Sequence, residues 1–259
     1  MEENPMSELK KYVEHLDQLA ADGDTDAGKE FAYYYMNELR DEVTPEIAEK
    51  IEEYLAEASG NGDAESQTML AHMYMFGDIV PQNTGKAKEY LMDAAENDDI
   101  RFSDLAMTAL SAMEADENSD DVSGILHWTV RNYLENSSPS AANMLGEIFA
   151  SGVLGWRDDE VAFDLYMEAE DKLREIGPLA GNPEPIYVNI AEALLQGTGV
   201  DIDPYEAMSY LAKAESGLYM RMHDGDPNAQ NELDEVLELK ETARRMIDDD
   251  LLDQNNPMA

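Results

Sequence analysis

A short apolar pattern occurs five times along the chain and restricts the folds open to it. In each copy a bulky apolar residue is followed directly by a small residue. Three positions after the small residue comes another residue, which is apolar or aromatic. These three positions lie on one side of an α-helix, so each copy predicts a helix with one buried face. The small residues, called anchors below, are Ala32, Ala71, Ala106, Gly146 and Ala191. The bulky residues before them, also predicted to be buried, are Phe31, Leu70, Leu105, Leu145 and Ile190.

A second helix is predicted after each anchor. Sixteen residues beyond the anchors stand apolar residues that we expect on its buried face, namely Ala48, Ala87, Val122, Ala162 and Ala207. Four residues earlier come side chains that can accept a hydrogen bond from a free N–H at a helix start: Thr44, Asn83, Asn118, Asp158 and Asp203. In three copies a glycine marks the expected end of the first helix, at Gly77, Gly152 and Gly197. Each copy is therefore predicted to form a helix–turn–helix unit.

The spacing of the copies predicts a repeat protein. Successive anchors are 39, 35, 40 and 45 residues apart, a period typical of solenoids whose hairpins bury their faces against their neighbours. We predict an all-α solenoid of about five repeats with a capping half-repeat at each end. The predicted segments are an N-terminal capping helix in 1–24, repeats at 25–62, 63–98, 99–138, 139–183 and 184–225, a C-terminal capping helix in 226–252, and a fraying tail at 253–259.

Two of the copies resemble a known repeat family. LAHMYMFGDIVPQNTGKAKEYLMDAAEND and IAEALLQGTGVDIDPYEAMSYLAKAE are similar to Sel-one-like repeats, which are relatives of the tetratricopeptide repeat. The second of these segments has the family's loop at Gly197, Gly199, Val200 and Asp203, whereas the first has Asp78 and Ile79 before Val80. The resemblance implies a right-handed α-superhelix whose first helices line a concave groove. It also implies an adaptor that assembles protein complexes, as members do in bacterial signalling and host contact.

The charge of the chain narrows the classes of partner. It has 17 Lys and Arg residues and 58 Asp and Glu residues, which give a formal net charge of −41. Nucleic acids and anionic membranes are bound through basic side chains, so neither is expected as a partner. The chain has no cysteine, and we see neither a secretory leader nor an apolar run long enough to span a membrane. We therefore expect a soluble, cytoplasmic protein with a protein partner, which the charge suggests is basic.

The face opposite the buried stripe of each first helix is where we expect a partner to bind. It contains residues three before, one after and five after each anchor. From these positions we select as partner-binding candidates Tyr33, Asn37, Thr68, His72, Phe76, Met107, Asn143, Glu147, Glu192 and Gln196. Tyr33, His72 and Phe76 would be aromatic anchors for the partner, and Glu147 and Glu192 would pair with its charges. The alternative interpretation is an ordinary solvated helix face.

No catalytic motif or metal-ligand spacing is visible in the sequence, so we expect neither an enzyme nor a bound cofactor or metal. The leading hypothesis is an interaction scaffold that binds a basic protein or peptide in its groove. An alternative is an immunity or antitoxin protein that neutralises a basic effector such as a nuclease. A nucleic-acid mimic and a hydrolase fit the sequence less well. The acidity could also be a general adaptation of the surface with no bearing on the partner.

Overall fold

The structure is a computed structural model that describes residues 5–117, 122–177 and 182–255. These residues form twelve α-helices and one 3₁₀-helix, and no strand occurs among them. The chain divides into two compact units, Met1–Met113 and Glu114–Ala259. The all-α helical-repeat fold predicted from the sequence is confirmed. The predicted third repeat, 99–138, contains the boundary between the two units.

The first unit is built from helices that pack in chain order. They are α1 (Pro5–Ala21), α2 (Thr25–Asn37), the 3₁₀-helix (Arg40–Glu42), α3 (Pro45–Gly60), α4 (Ala64–Phe76), α5 (Thr84–Ala95) and the first part of α6 (Ile100–Glu117). From α1 to α5, each helix contacts the next. Their buried faces form one apolar cluster, in which Phe31, Ile51, Leu55 and Leu70 are almost fully removed from solvent. Burial of this kind is the main source of stability in a stack of hairpins.

The second unit continues the alternation of first and second helices. After the end of α6 it contains α7 (Ser123–Asn136), α8 (Pro139–Ser151), α9 (Asp159–Ile176), α10 (Glu184–Gln196), α11 (Pro204–His223) and α12 (Ala229–Asn255). From α7 onward each helix contacts its successor, and α10 also contacts both α8 and α12. The helices α8, α10 and α12 therefore lie side by side. A second apolar cluster fills the interior, with Ile190, Leu194, Leu211 and Leu218 among its most buried members.

Most of the predicted helix starts and ends are confirmed. The starts have hydrogen bonds from backbone N–H groups to the predicted capping side chains, and the ends have left-handed glycines. Thr44 Oγ1 accepts a hydrogen bond from the N–H of Ile47. The equivalent side chains of the second, fourth and fifth repeats also accept a hydrogen bond from the backbone N–H three residues later. These pairs are Asn83 and Lys86 at 3.0 Å, Asp158 and Val161 at 3.1 Å, and Asp203 and Glu206 at 2.9 Å. Asn118 lies outside the described residues. Left-handed glycines end the first helices at Gly77, Gly152 and Gly197.

The small anchor of the fourth repeat allows a close helix contact. A Cβ placed on Gly146 in α8 would lie 2.4 Å from Cε1 of Tyr166 and 3.0 Å from the carbonyl oxygen of Ala162, both on α9. Ordinary carbon contacts begin near 3.5 Å. The α8–α9 hairpin can therefore pack this tightly only with glycine at the anchor.

The third repeat departs from the prediction in its helix register. Leu105, expected to be buried, is 55% exposed, whereas Met107 is 1% exposed and Leu110 is fully buried. The buried face of α6 is therefore rotated by one residue, or about 100°, from the predicted face. Val122, expected inside the second helix, precedes the start of α7 at Ser123. This repeat has no glycine loop, and the neighbouring apolar residues around Ala106 are compatible with either register.

A helix is present in each terminal segment for which the sequence predicted a cap. Helix α1 lies within 1–24, and α12 begins at Ala229. The predicted tail began at 253, but α12 continues to Asn255, and 256–259 lie outside the described residues. None of the helices in the described ranges is both long enough and apolar enough to cross a membrane.

Candidate functional site

In the first unit the candidate residues on α2 and α4 lie at the surface. Tyr33 is 55% exposed and Phe76 is 62% exposed, while His72 is also exposed and Thr68 is half-buried. The ring centroids of His72 and Phe76 are 4.5 Å apart, so the two side chains form one aromatic surface on α4. The side-chain amide of Asn37 donates to the carbonyl oxygen of Tyr33 at 2.8 Å. This surface could pack against an apolar or cationic side chain of a partner.

Met107 does not lie on an exposed face, because of the register difference in α6. It is 1% exposed, and Ser103 and Ser111, one helical turn away on either side, are also buried. The predicted placement of Met107 as a partner contact is therefore wrong. Its thioether is part of the interior of the protein.

In the second unit Asn143 and Glu147 of α8 are joined to α10 by hydrogen bonds. The side-chain amide of Asn189 donates to Asn143 Oδ1 at 2.9 Å and to Glu147 Oε1 at 2.8 Å. Asn143 also donates to Glu147 Oε1 at 2.9 Å and is only 6% exposed. Asn143 is thus more buried than predicted, and the polar cluster fixes α8 against α10. Glu147 and Gln196 remain exposed, and Glu192 is half-buried.

Glu192 borders a cleft between α10 and α12, called the acidic cleft below. The cleft has a volume of about 520 Å³, and its apolar floor consists of Val188, Leu218, Val236 and Leu239. Its carboxylates are Glu184, Glu192, Glu232, Glu235 and Glu238. No Lys, Arg or His is among the described residues that line it. The cleft therefore combines an apolar base with a concentration of negative charge.

Two of these glutamates are held in an environment that disfavours their charge. Burial raises the pKa of Glu192, and the nearby Glu235 carboxylate raises it further. Burial also raises the pKa of Glu184, although its backbone hydrogen bond and the positive charge of Arg221 partly oppose this. Desolvation and like charge both destabilise an ionised carboxylate. A cation entering the cleft would oppose both effects by stabilising the ionised carboxylates.

Arg221 forms a long ion pair with Glu184 of the cleft, but its short hydrogen bonds go to other acids. It donates to Asp226 Oδ2 at 2.6 Å and to Glu232 Oε2 at 2.7 Å, but its Nη1 lies 3.8 Å from Glu184 Oε2. Glu184 Oε2 is buried and has no hydrogen-bond donor in the described part of the chain. For Glu192, Glu235 and Glu238 the described residues provide no ion pair. The cleft thus contains carboxylates that form no ion pair within the described chain, and one buried oxygen, Glu184 Oε2, without a hydrogen-bond donor there.

Only one side of this cleft was predicted from the sequence. Glu192 on α10 was a candidate contact, whereas the segment that forms α12 was predicted only as a cap. Glu232, Glu235 and Glu238 recur every three residues and alternate with the buried Leu233 and Val236. That spacing places the glutamates together beside the buried stripe and could have identified the second wall. Nothing in the sequence indicated that Glu184 would be buried.

The chemistry available in the cleft is cation binding. Ionised carboxylates accept short, charge-assisted hydrogen bonds from ammonium or guanidinium groups. Within the described ranges, His, Asp and Glu side chains form no group of three that could hold a metal ion. The lining contains carboxylates, one amide, one threonine and apolar side chains. These groups are suited to recognition of a positively charged side chain with an apolar neighbour.

Comparison with known protein families finds a match for two segments of the chain. The family model described as the Sel1 repeat matches residues 64–99 and 187–216, which contain α4–α5 and most of α10–α11. No curated protein matches the sequence.

The chain is also similar to solved structures. A Sel1 repeat protein from Oxalobacter formigenes is 21% identical with a TM-score of 0.59, and the match covers 86% of this chain and 58% of that one. A protein from uropathogenic Escherichia coli, c5321, described as a protective antigen with an SLR fold, is 16% identical with a TM-score of 0.48, over 90% of this chain and 62% of that one. The chain thus spans about six-tenths of the length of these two proteins. The similarity to the Oxalobacter protein supports the fold, and the chain is a helical repeat protein in which two segments match the Sel1 repeat model.

Proposed function

We propose that this chain is a non-catalytic interaction scaffold that binds a basic protein through the acidic cleft of its second unit. The observation that supports this most directly is the cleft itself, with five glutamates and no basic residue among its described lining. Sel1 repeat proteins generally mediate protein–protein interaction, which agrees with the proposal. A basic segment would neutralise carboxylates that repel one another in the free protein.

The aromatic surface of the first unit is proposed as an additional contact. Exposed aromatic side chains contribute strongly to binding when a partner removes them from water. Tyr33 on α2 and the His72–Phe76 pair on α4 have this character. Replacement of Tyr33 and Phe76 by alanine should therefore weaken partner binding. This loss of affinity should depend less on salt concentration than the loss caused by substitutions in the cleft.

A second candidate is neutralisation of a basic effector, such as a nuclease, by an immunity or antitoxin protein. The net charge of −41 favours it, because an acidic inhibitor associates quickly with a basic target. The test is co-expression of the chain with a basic effector encoded beside its gene, scored by cell survival. If the effector remained toxic although this protein was abundant in the cell, the neutralisation hypothesis would be contradicted.

The main proposal is tested by affinity capture from the native lysate, with washes of increasing salt and identification by mass spectrometry. We expect a basic protein that is retained at low salt and released well before about 1 M salt, where charges are screened within about 3 Å. The double variant Glu192→Gln with Glu235→Gln should lose that protein. The variant Asp164→Asn with Glu175→Gln, which removes the same charge from exposed positions on α9, should retain it. Equal retention by both variants would refute binding at the cleft.

A further inference from the structure

We propose that a small polar pocket between α8, α9 and α10 binds a primary carboxamide, the side-chain group of glutamine and asparagine, through the hydroxyl of Tyr166 and the carboxylate of Glu192. The lining of this tyrosine pocket also includes Arg157, Asp159 and Asn189. The pocket lies beside the acidic cleft and shares Glu192 with it. The inference goes beyond the proposed function and does not rest on it, because it requires no basic partner.

The fourth repeat differs from its neighbours by an exchange of side-chain size. In the second and fifth repeats an alanine anchor is followed twenty residues later by a leucine, as with Ala191 and Leu211. In the fourth repeat the corresponding residues are Gly146 and Tyr166. Cε1 of Tyr166 lies only 2.4 Å from the place that an alanine methyl group would take on Gly146. The glycine therefore lets the outer end of a tyrosine ring pass α8, whereas filling of the interior alone is achieved elsewhere by alanine and leucine.

The hydroxyl of Tyr166 has no hydrogen-bond partner in the described part of the chain. The residue is 6% exposed and lines the tyrosine pocket. Burial raises the pKa of Tyr166, and the charges of Glu147, Glu192 and Asp159 raise it further. The hydroxyl therefore keeps its proton at neutral pH and is available as a donor. Buried tyrosine hydroxyls usually have a partner, so an acceptor from outside the chain would complete this site.

The wall formed by α10 supplies acceptors for the ligand. Glu192 is half-buried and forms no ion pair within the described ranges. The side-chain nitrogen of Asn189 donates within the chain, at 2.8 and 2.9 Å, so its Oδ1 remains an acceptor. On the opposite side Arg157 and Asp159 are already paired, with Nε 2.6 Å from Oδ1. The lining thus combines a buried donor with acceptors, and one of its two acids is already neutralised by a cation.

A carboxamide matches this mixture of groups and the size of the pocket. Its carbonyl oxygen would accept from the Tyr166 hydroxyl, and its NH₂ group would donate to Glu192. An ammonium or guanidinium has no acceptor for the hydroxyl proton and would meet the charge of Arg157, whereas a carboxylate would be repelled by Glu192. The volume of about 100 Å³ corresponds to about three water molecules of about 30 Å³ each. A carboxamide has the same number of non-hydrogen atoms.

The inference is tested by NMR of the purified chain, labelled at its alanine methyl groups, with acetyl-glutamine N-methylamide, whose side chain holds its only primary carboxamide. The methyl signals of Ala150, Ala162 and Ala193, which line the pocket, should shift as this compound is added. The titration is made in about 1 M salt, so that the net charge of the chain does not attract cationic compounds in general. The corresponding derivatives of glutamate, lysine and norleucine should each bind at least fivefold more weakly, because each lacks the carbonyl oxygen, the NH₂ group or both.

The variant Tyr166→Phe removes the hydroxyl and keeps the ring. It should weaken binding of the glutamine derivative about fivefold, as expected for the loss of one neutral hydrogen bond. Its midpoint of urea unfolding should not fall, because the hydroxyl has no partner within the described chain to lose. Tyr219→Phe is the matched control, since Tyr219 on α11 is exposed and does not line the pocket. It should change binding less than twofold.

Several results would overturn the inference. They are the absence of shifts at the three alanines, binding of any of the other derivatives as tightly as that of glutamine, and an unchanged affinity in Tyr166→Phe. A lower unfolding midpoint in Tyr166→Phe would also overturn it, because it would show that the hydroxyl is bonded inside the protein. Tyr166→Phe retains all five glutamates of the acidic cleft, so this inference and the proposed function can fail separately.

Discussion

The close contact at Gly146 predicts that a single added methyl group will destabilise the second unit. In Gly146→Ala, the new Cβ would lie 2.4 Å from the ring of Tyr166, which is itself buried. The ring must move by more than about 1 Å to restore ordinary contact. The carbonyl oxygen of Ala162, at 3.0 Å, limits movement in the other direction. The substitution therefore forces α8 and α9 apart.

The expected change in the free energy of unfolding is the difference between two opposing effects of the substitution. Overpacking a filled interior costs about 1–3 kcal/mol, and contact with backbone as well as with a ring places this site in the upper part of that range. Replacement of glycine by alanine inside a helix contributes about 1 kcal/mol of stability. The free energy of unfolding of the second unit should consequently fall by about 1–2 kcal/mol.

Urea unfolding followed by tryptophan fluorescence is the appropriate assay, because both tryptophans, Trp128 and Trp156, belong to the second unit. A midpoint lower by roughly 0.5 M or more is expected for a slope of about 2 kcal/mol per M. Gly60→Ala is the matched control, measured by circular dichroism, because a Cβ at Gly60 in α3 has nothing within 4 Å. It should be neutral or slightly stabilising. Gly146→Ala with stability equal to or above that of the unmodified chain would refute the close-packing argument.

Three further changes test the caps, the cleft and the polar cluster. Asn83→Ala removes the acceptor for the Lys86 N–H at 3.0 Å and should cost about 1 kcal/mol by circular dichroism in urea; an unchanged midpoint would contradict the cap. Glu192→Gln should raise the free energy of unfolding at neutral pH, because the raised pKa of Glu192 means that its ionised form is disfavoured in the folded chain. That gain should decline as the pH falls below the pKa of the folded carboxyl and disappear below the lower pKa of the unfolded carboxyl. A gain independent of pH would contradict this reasoning. Asn189→Ala leaves the buried Asn143 Oδ1 without its 2.9 Å donor and should cost about 1–2 kcal/mol in fluorescence-detected urea unfolding; no loss would show that the cluster is not stabilising.

The sequence predicted helix boundaries well wherever a local signal marked them. Thr44, Asn83, Asp158 and Asp203 cap the helices they were expected to cap. Such contacts join residues two or three positions apart, so they depend little on the rest of the fold. The third repeat has no glycine at the end of its first helix, and there the assignment depended on apolar spacing and on the expected cap Asn118, which lies outside the described residues.

The error in α6 has a simple physical origin. Leu105, Ala106 and Met107 are consecutive apolar residues, so a helix can bury the first two or the last two with a rotation of about 100°. The helix propensity of the segment is the same in both registers. Only packing with other helices decides between them, and that information is not contained in the segment itself.

The candidate site was harder to predict than the fold because its parts come from separate helices. Glu192 was identified from its position on α10, but Glu235 belongs to a helix that shows no repeat signature. In a chain with 58 acidic residues, no single glutamate is conspicuous in the sequence. What distinguishes Glu184 is its burial and its unused oxygen, and both arise only when α10 packs against α11 and α12.

The side-by-side packing of the second unit also bears on how the protein forms during synthesis. In this unit, the main contacts between described helices join a helix to the next one or to the next but one along the chain. Structure built from near neighbours forms quickly and can grow from one hairpin to the next. The α8–α9 and α10–α11 hairpins can therefore fold in turn as they emerge from the ribosome. The acidic cleft needs α12 for its second wall, so it would open to a partner only after that helix has been translated and docked.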